Sequence, residues 1–288
     1  MIDFDHFSRE IAESSVPYAF GIPGGGASLD LIHSLESNGV EFITTFSEGS
    51  AAIMAGTVGR LCNTAGVAIS IKGPGIANMM PGLALCRFED LPIVAFAESY
   101  GSSAPKSRAH KRLDQKILTQ PVVKHSFVVD NQDNLVRRSR EIAKSEIPGP
   151  VLVELIEETE KNQESETILK KGNYCDATEV RDLIRGSQRP VLIVGAIATR
   201  LDEDLHLSSL NIPMFTTVAA KGIVDEASEY SAGVFTGVGL SKTPELQILE
   251  SADLIVCLGL RNHEVLSAHP FSAKAINFDL NSNASSGF

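Results

Sequence analysis

Short apolar runs alternate with helical patterns of hydrophobic residues along the first 160 residues of the chain. The apolar runs, most of them bounded by glycine or proline, predict strands at Tyr18–Ile22, Glu41–Thr45, Gly66–Ile71, Pro92–Ala97 and Val151–Ile156. Between the first four runs, apolar residues recur at the spacing of amphipathic helices. Strands that alternate with helices predict a parallel sheet covered on both faces.

The same rhythm resumes after a polar stretch that is poor in hydrophobic residues. There the pattern predicts a helix at Glu245–Glu250 and strands at Pro190–Gly195, Ile212–Thr217, Leu254–Gly259 and Ala275–Leu280. We therefore predict an α/β protein of two domains, each a parallel sheet with helices on both faces. The predicted boundaries are 1–160 for the first domain, 161–175 for a linker and 176–288 for a Rossmann-like second domain.

Composition and charge exclude several classes of partner. Acidic residues outnumber basic ones by 36 to 25, which gives a formal net charge of −11, so we expect no nucleic-acid partner and no membrane association. The chain has no apolar run long enough for a transmembrane helix and no signal-peptide pattern, so we expect a cytoplasmic location. The four cysteines match no zinc or redox spacing, and three of them lie in apolar or helix-like surroundings that favour buried free thiols. No metal site is predicted within the chain.

The candidate chemistry lies at the carboxyl ends of the first predicted strands. Because the connections of a parallel sheet are right-handed, these ends gather at one edge, which is the usual place for a ligand. Glycine-rich turns at 23–26 and 73–75 and the carboxylate of Glu48 fall there. Glu48 lies in the first turn of a helix, where a carboxylate also stabilises the helix dipole without any further role. Asn78 is either a polar contact for a ligand or the cap of the helix it opens.

Several segments, in order along the chain, resemble one family of enzymes. Segments 18–25, 47–52 and 72–78 partly match the signatures FGxPGG, HEQGAA and GPGxxN. These signatures belong to the pyrimidine-binding domain of thiamine diphosphate enzymes of the acetohydroxyacid synthase type. Segments 189–195 and 252–259 resemble the central domain of the same family. The resemblance covers nearly the whole chain and implies the fold of these two domains.

The resemblance also implies roles for individual residues. In this family a carboxylate hydrogen-bonds to the aminopyrimidine ring of the cofactor and favours the imino tautomer, which is the internal base; Glu48 matches that carboxylate. Pro23, Gly24 and Gly25 would let the backbone approach the cofactor or the substrate closely. Gly73 and Asn78 fall in the matching GPGxxN segment, and we assign them to cofactor binding.

The sequence departs from the family pattern at two of these positions. Ser47 stands where the family often has His, which removes one acid/base candidate on the substrate side. Lys72 replaces the small hydroxyl residue that commonly precedes Gly-Pro-Gly. Lys72 either binds a carboxylate or phosphate of the substrate or lies at the surface. Gln115 is a second candidate for substrate binding, with a solvated loop residue as the alternative.

The family holds the diphosphate and Mg²⁺ of its cofactor in a third domain with a Gly-Asp-Gly motif, which is absent from this sequence. We therefore expect one subunit of a split thiamine diphosphate-dependent 2-oxoacid decarboxylase or carboligase, similar to acetolactate synthase. A separate partner subunit would hold the diphosphate and Mg²⁺, the assembly would be a homo- or hetero-oligomer, and no FAD is expected. Two alternatives stay open: a catalytically inactive regulatory or scaffolding relative, and a two-domain binding module for a nucleotide or sugar phosphate.

Overall fold

A computed structural model of the chain describes residues 2–101, 104, 110–129, 134–156, 177–201, 205–238, 243–266 and 270–280. The chain divides into two compact units. The first unit consists of Met1–Ala104 and Lys111–Asn162, and the second of Pro105–His110 and Gln163–Phe288. The predicted linker at 161–175, with the domain boundaries on either side of it, lies outside the described residues and stays a prediction.

The first unit is built on a six-stranded parallel sheet in the order β2-β1-β3-β4-β6-β5. Its elements are α1 (Phe4–Ala12), β1 (Tyr18–Gly21), α2 (Ala27–Ser37), β2 (Glu41–Thr44), α3 (Glu48–Leu61), β3 (Gly66–Ser70), α4 (Pro74–Phe88), β4 (Ile93–Ser99), α5 (Gln115–Thr119), β5 (His125–Val128), α6 (Leu135–Lys144) and β6 (Pro150–Ile156).

Helices cover both faces of this sheet. All residues of β3 are buried, and their side chains alternate between two apolar clusters. Val67 and Ile69 join the cluster beneath α1, α2 and α6, whereas Ala68 joins the cluster beneath α3 and α4. Burial of both faces explains why the central strands form continuous apolar runs in the sequence.

The backbones of α3 and α4 approach each other closely at two glycines. A Cβ built on Gly82 would lie only 2.2 Å from the carbonyl oxygen of Gly49, so a side chain at this position would clash with the facing helix. At the start of α3, the side chain of Ser47 accepts a hydrogen bond from the backbone N–H of Ser50 and caps the helix. The cap and the close packing together fix where Glu48, the first residue of α3, lies at the edge of the sheet.

The second unit is built on a five-stranded parallel sheet in the order β11-β10-β7-β8-β9. Its elements are α7 (Ala177–Gly186), β7 (Pro190–Val194), β8 (Met214–Thr216), β9 (Ser231–Val234), α8 (Pro244–Ser251), β10 (Leu254–Leu258) and β11 (Lys274–Phe278). Apolar clusters lie on both sides of this sheet. The predicted fold class, two parallel α/β sheets in two domains, is confirmed.

The burial of the cysteine side chains agrees only in part with the prediction from the sequence. Cys86 and Cys257 are buried and free, as expected from their apolar surroundings. Cys62 is exposed, because it lies just beyond the last turn of α3, and for this residue the expectation of burial was wrong. Cys175 lies outside the described residues. No helix in the described part of the chain combines the length and the apolar character needed to span a membrane.

Candidate functional site

The carboxyl edge of the first sheet brings three connections together. The turn after β1 leads into α2, the turn after β2 into α3 and the turn after β3 into α4. Because β1 lies between β2 and β3, these three turns are neighbours in space. The glycine-rich turns and Glu48, which the sequence predicted at one edge, are therefore brought together.

Glu48 is the central feature of this edge. It is buried (6% exposed), yet none of the described residues donates a hydrogen bond to its carboxylate. A carboxylate that has lost most of its water and has no internal donor readily accepts a hydrogen bond from a ligand. Its Oε1 lies 3.4 Å from the point that a Cβ on Gly75 would occupy, and Cγ1 of Ile71 lies 2.9 Å from that point, so Gly75 packs closely beside the carboxylate. This arrangement fits a ligand that presents N–H donors, as an aminopyrimidine ring does.

The glycines of the first turn differ in what the fold requires of them. A Cβ on Gly24 would lie 1.9 Å from a side-chain carbon of Ile71, so packing within the unit requires a glycine at position 24. A Cβ on Gly25 would meet nothing within 4 Å. Gly25 and Pro23 are exposed. The predicted close approach of a ligand is therefore compatible with Gly25, whereas Gly24 has a structural reason of its own.

Gly73, in the second glycine-rich turn, is required by the fold. Its φ of +65° lies in the left-handed region, and a Cβ there would lie 2.2 Å from the carbonyl oxygen of Lys111. Its backbone N–H donates to Oε1 of Gln115 over 2.8 Å. Any contact of Gly73 with a cofactor stays a prediction.

Gln115 is almost fully buried (2% exposed) and uses its whole amide group within the unit. Besides accepting from Gly73, it donates through Nε2 to the carbonyl oxygen of Glu98 over 3.0 Å and to Oε1 of Glu154 over 2.9 Å. Ser99 donates to the same oxygen of Glu154. Gln115 thus ties the turn after β3 to β4 and β6, and its assignment to the substrate stays a prediction.

Lys72 also has an internal partner. Its Nζ lies 2.9 Å from Oε2 of Glu98, and Oε1 of Glu98 accepts a hydrogen bond from the backbone N–H of Ser28 at the start of α2. The ammonium group lies 5.3 Å from the ring centroid of Tyr100. The roles of Glu98 and Glu154 could not be predicted from the sequence. Only the order of the strands shows that Glu98 faces Lys72 and that Glu154 faces Gln115.

Asn78 does not cap a helix. The helix α4 begins at Pro74 with Gly73 as its cap, so Asn78 lies in the second turn and the capping interpretation was wrong. Its side chain is exposed. A polar contact between Asn78 and a ligand stays a prediction.

The corresponding edge of the second sheet is held together by one carboxylate. Glu264 accepts hydrogen bonds from the backbone N–H of Ala196 over 2.6 Å, the hydroxyl of Thr217 over 2.8 Å and the backbone N–H of Arg261 over 3.1 Å. These bonds join the segments that follow β7, β8 and β10. Among the described residues, no group of three or more His, Cys, Asp and Glu side chains has the arrangement of a metal site.

Comparisons with known proteins agree with both units. Residues 4–120 match the family model of the thiamine pyrophosphate enzyme N-terminal TPP binding domain, and residues 177–286 match that of the central domain. The chain is 26% identical over 94% of its length to a probable acetolactate synthase large subunit of Methanococcus aeolicus, of which it covers 49%. It is 29% identical over 87% of its length to the acetolactate synthase large subunit of Pyropia yezoensis, of which it covers 46%. The chain thus spans about half the length of the curated relatives that it matches.

Proposed function

Because this chain belongs to the family of thiamine pyrophosphate enzymes, of which it carries the N-terminal binding domain and the central domain, we propose that it is one subunit of a split enzyme similar to acetolactate synthase. Its first unit binds the aminopyrimidine end of thiamine diphosphate. A separate partner subunit holds the diphosphate and Mg²⁺ and completes the site. The substrate class is a small 2-oxoacid, which the assembly decarboxylates or joins to an acceptor.

The observation that carries this proposal is the state of the Glu48 carboxylate. It is buried at the carboxyl edge of the sheet, and no described residue donates to it. A structural carboxylate at the start of a helix is typically exposed or hydrogen-bonded, because burial without a partner is unfavourable. A site that binds a donor-bearing ring explains why the chain keeps such a group.

The residues at the carboxyl edge of the first sheet would have different roles in binding the cofactor. Glu48 would accept a hydrogen bond from the aminopyrimidine ring and hold the proton that they share, which requires a site that excludes water. Gly25 and Pro23 would let the backbone lie against the ring without an intervening side chain. When bound, thiamine diphosphate supplies a carbon nucleophile and an electron sink for the 2-oxoacid.

An apolar surface next to Glu48 supports a partner subunit. The outer faces of α3 and α4, together with the residue pair before α3, expose large hydrophobic side chains: Phe46, Ile53, Met54, Leu61, Leu85 and Phe88. Phe46, two residues before Glu48, is completely exposed. Several exposed large hydrophobic side chains on two neighbouring helices are typical of protein–protein interfaces. A partner that covers this surface would also enclose the Glu48 carboxylate.

Glu48→Gln tests the proposed role of the carboxylate. Turnover of a 2-oxoacid such as pyruvate by the chain together with its partner should fall by orders of magnitude, while the circular dichroism spectrum and thermal midpoint stay near those of the wild type. The partner candidate is the product of a neighbouring gene that encodes a protein with a Gly-Asp-Gly motif. Turnover that is unchanged in the variant would overturn the role of Glu48.

Gly25→Ala tests cofactor binding without disturbing the fold. Since nothing lies within 4 Å of the added methyl group, the variant should fold normally and yet bind thiamine diphosphate more weakly in calorimetry with the partner present. Gly186→Ala is the matched control, because a Cβ at Gly186 in the second unit also meets nothing within 4 Å. Equal affinity in both variants would exclude an approach of the cofactor at Gly25. Tight binding of a nucleotide by the chain would favour a nucleotide-binding module instead.

A further inference from the structure

The hydroxyl of Ser70 is buried without a partner at the carboxyl end of β3. Ser70 is 0% exposed, and no hydrogen bond joins its Oγ to another of the described residues. Such a hydroxyl is unfavourable, because it has left water without a replacement partner. Two other buried polar atoms of the described chain share this state, Nε2 of His6 and Nε of Arg140, and both belong to helices on the opposite face of the sheet.

Ser70 faces the same side of the sheet as Glu48. Successive side chains of a strand point to opposite faces. Ile69 belongs to the cluster beneath α1, α2 and α6, and Ala68 to the cluster beneath α3 and α4. Ser70, two residues after Ala68, therefore points towards α3 and α4, at the level where α3 begins.

Gly75 shows how near the two polar groups lie. A Cβ built on Gly75 would lie 3.2 Å from Cβ of Ser70 and 3.4 Å from Oε1 of Glu48. The nearest atom to that point is Cγ1 of Ile71 at 2.9 Å, so the side chains of Ser70, Glu48 and Ile71 meet around Gly75. One water molecule is enough to connect two polar groups that lie this near each other.

The two groups are complementary as donor and acceptor. An ionised carboxylate can only accept hydrogen bonds, and a serine hydroxyl can donate one. The other charged side chains on α3 and on the elements packed against it either pair with another residue or lie far from Glu48. Glu98 of β4 is paired with Lys72, and Arg60 and Arg87 belong to the last turns of α3 and α4. A hydrogen-bond link between the two would thus give the Ser70 hydroxyl and the Glu48 carboxylate the partner that each of them lacks.

We propose that Ser70 is a positioning residue for Glu48: its hydroxyl donates a hydrogen bond to one bridging water, which in turn donates to the Glu48 carboxylate. This bond holds one carboxylate oxygen in place and leaves the other for the ligand. The inference deepens the proposed function and rests on it for the role of Glu48, but the link between the two residues exists without any ligand.

The experiment compares the infrared spectra of the full chain without ligand. The difference between the wild type and Glu48→Gln assigns the carboxylate stretching band of Glu48. We expect this band to shift in Ser70→Ala and to stay in place in Ser139→Ala. Ser139 is the matched control, because it is also a fully buried serine of the first unit, and its hydroxyl donates to the carbonyl oxygen of Leu135 on α6. Thermal unfolding of Ser70→Ala should occur slightly below the wild-type midpoint, because the variant removes the proposed donor to the buried carboxylate of Glu48.

Calorimetry with thiamine diphosphate, in the presence of the partner, separates the two proposals. We expect Ser70→Ala to bind about tenfold more weakly than the wild type, because Glu48 loses its fixed orientation. A band that does not move in Ser70→Ala would overturn the link between Ser70 and Glu48, whatever the ligand does. A band that moves in a protein that binds no thiamine diphosphate would support the link and overturn the proposed function.

Discussion

The ammonium group of Lys72 lies 2.9 Å from a carboxylate oxygen of Glu98, whose side chain is almost fully buried (4% exposed). The other oxygen of Glu98 accepts from the backbone N–H of Ser28, so the pair joins the turn after β3, the end of β4 and the start of α2. The fold thus gives Lys72 a structural partner at the edge where the candidate site lies. Because of this ion pair, we expect substitution of Lys72 to change the stability of the first unit.

Lys72→Met should lower the free energy of unfolding by about 2 kcal/mol, because it leaves the charge of Glu98 buried without its partner. The loss is smaller than for a sealed ion pair, since Lys72 is 22% exposed and solvent screens part of the interaction. Urea unfolding measures it. Arg9→Met is the control in the same unit, since Arg9 pairs with Asp5 at an exposed position and its replacement should change stability very little. Equal losses in the two variants would contradict a stabilising role for the Lys72 pair.

Gln115→Ala should destabilise the first unit by about 3 kcal/mol, since it leaves the N–H of Gly73 without its partner and removes a donor from the carbonyl of Glu98 and from the carboxylate of Glu154. Chemical denaturation measures the loss. Lys116→Ala, at the next and more exposed position of α5, is the control and should change little. If Gln115→Ala instead raised KM for the 2-oxoacid at unchanged stability, the substrate assignment would be favoured over the structural one.

Glu48→Gln and Ser47→Ala should have different effects on stability, although the residues are neighbours. Ser47→Ala removes the cap of α3 and should cost about 1 kcal/mol. Glu48→Gln removes a buried charge and keeps an oxygen that can accept a hydrogen bond, so the thermal midpoint should be retained or raised. Thermal unfolding followed by circular dichroism compares them. A large loss of stability in Glu48→Gln would mean that the carboxylate serves the fold rather than a ligand.

Asp253 should make stability depend on pH under acidic conditions. Hydrogen bonds from the hydroxyl of Ser187 and the backbone N–H groups of Gln188 and Arg189 lower the pKa of Asp253 from about 3.8 to about 2. A lowered pKa in the folded state gives stability that is present above the unfolded pKa and is lost as the pH falls through the folded one. The wild type should therefore lose this contribution between about pH 4 and pH 2.

In Asp253→Asn, the free energy of unfolding should not show this loss of stability between about pH 4 and pH 2. The measurement is the free energy of unfolding in denaturant at several acidic pH values. Asp225→Asn, at an exposed turn of the same unit, is the control and should keep the slope of the wild type. Identical slopes in Asp253→Asn and the wild type would show that these hydrogen bonds do not favour the ionised carboxylate.

The cysteines should react with thiol reagents in two distinct groups. Burial raises the pKa of Cys86 and of Cys257 to about 12, so both thiols stay protonated and inaccessible in the folded chain. Cys62 is exposed. In a Cys175→Ser background, we expect one fast modification, which Cys62→Ser abolishes, and two slow ones that require unfolding. Fast modification of Cys86 would show that α3 and α4 separate readily.

The central elements of the fold could be predicted from the sequence because burial on both faces produces continuous apolar runs. The strands β3 and β4 illustrate this. The strand β5 was not predicted, since it lies at the edge of the sheet and only Phe127 among its four residues is buried. The helix α6 was missed for a related reason: its outer face is strongly polar, and only a few residues such as Leu135 and Val136 are buried.

By itself, the sequence determined that two parallel α/β sheets form and that Glu48 begins a helix beside glycine-rich turns, because these properties follow from the residues next to one another in the chain. Only the tertiary structure decided that Lys72 faces Glu98, that Gln115 reaches Glu154 and that Ser70 is buried without a partner near Glu48. These residues are far apart in the sequence, and their contacts depend on which strands are neighbours. The order places β4 between β3 and β6, and a one-dimensional pattern carries no information about that choice.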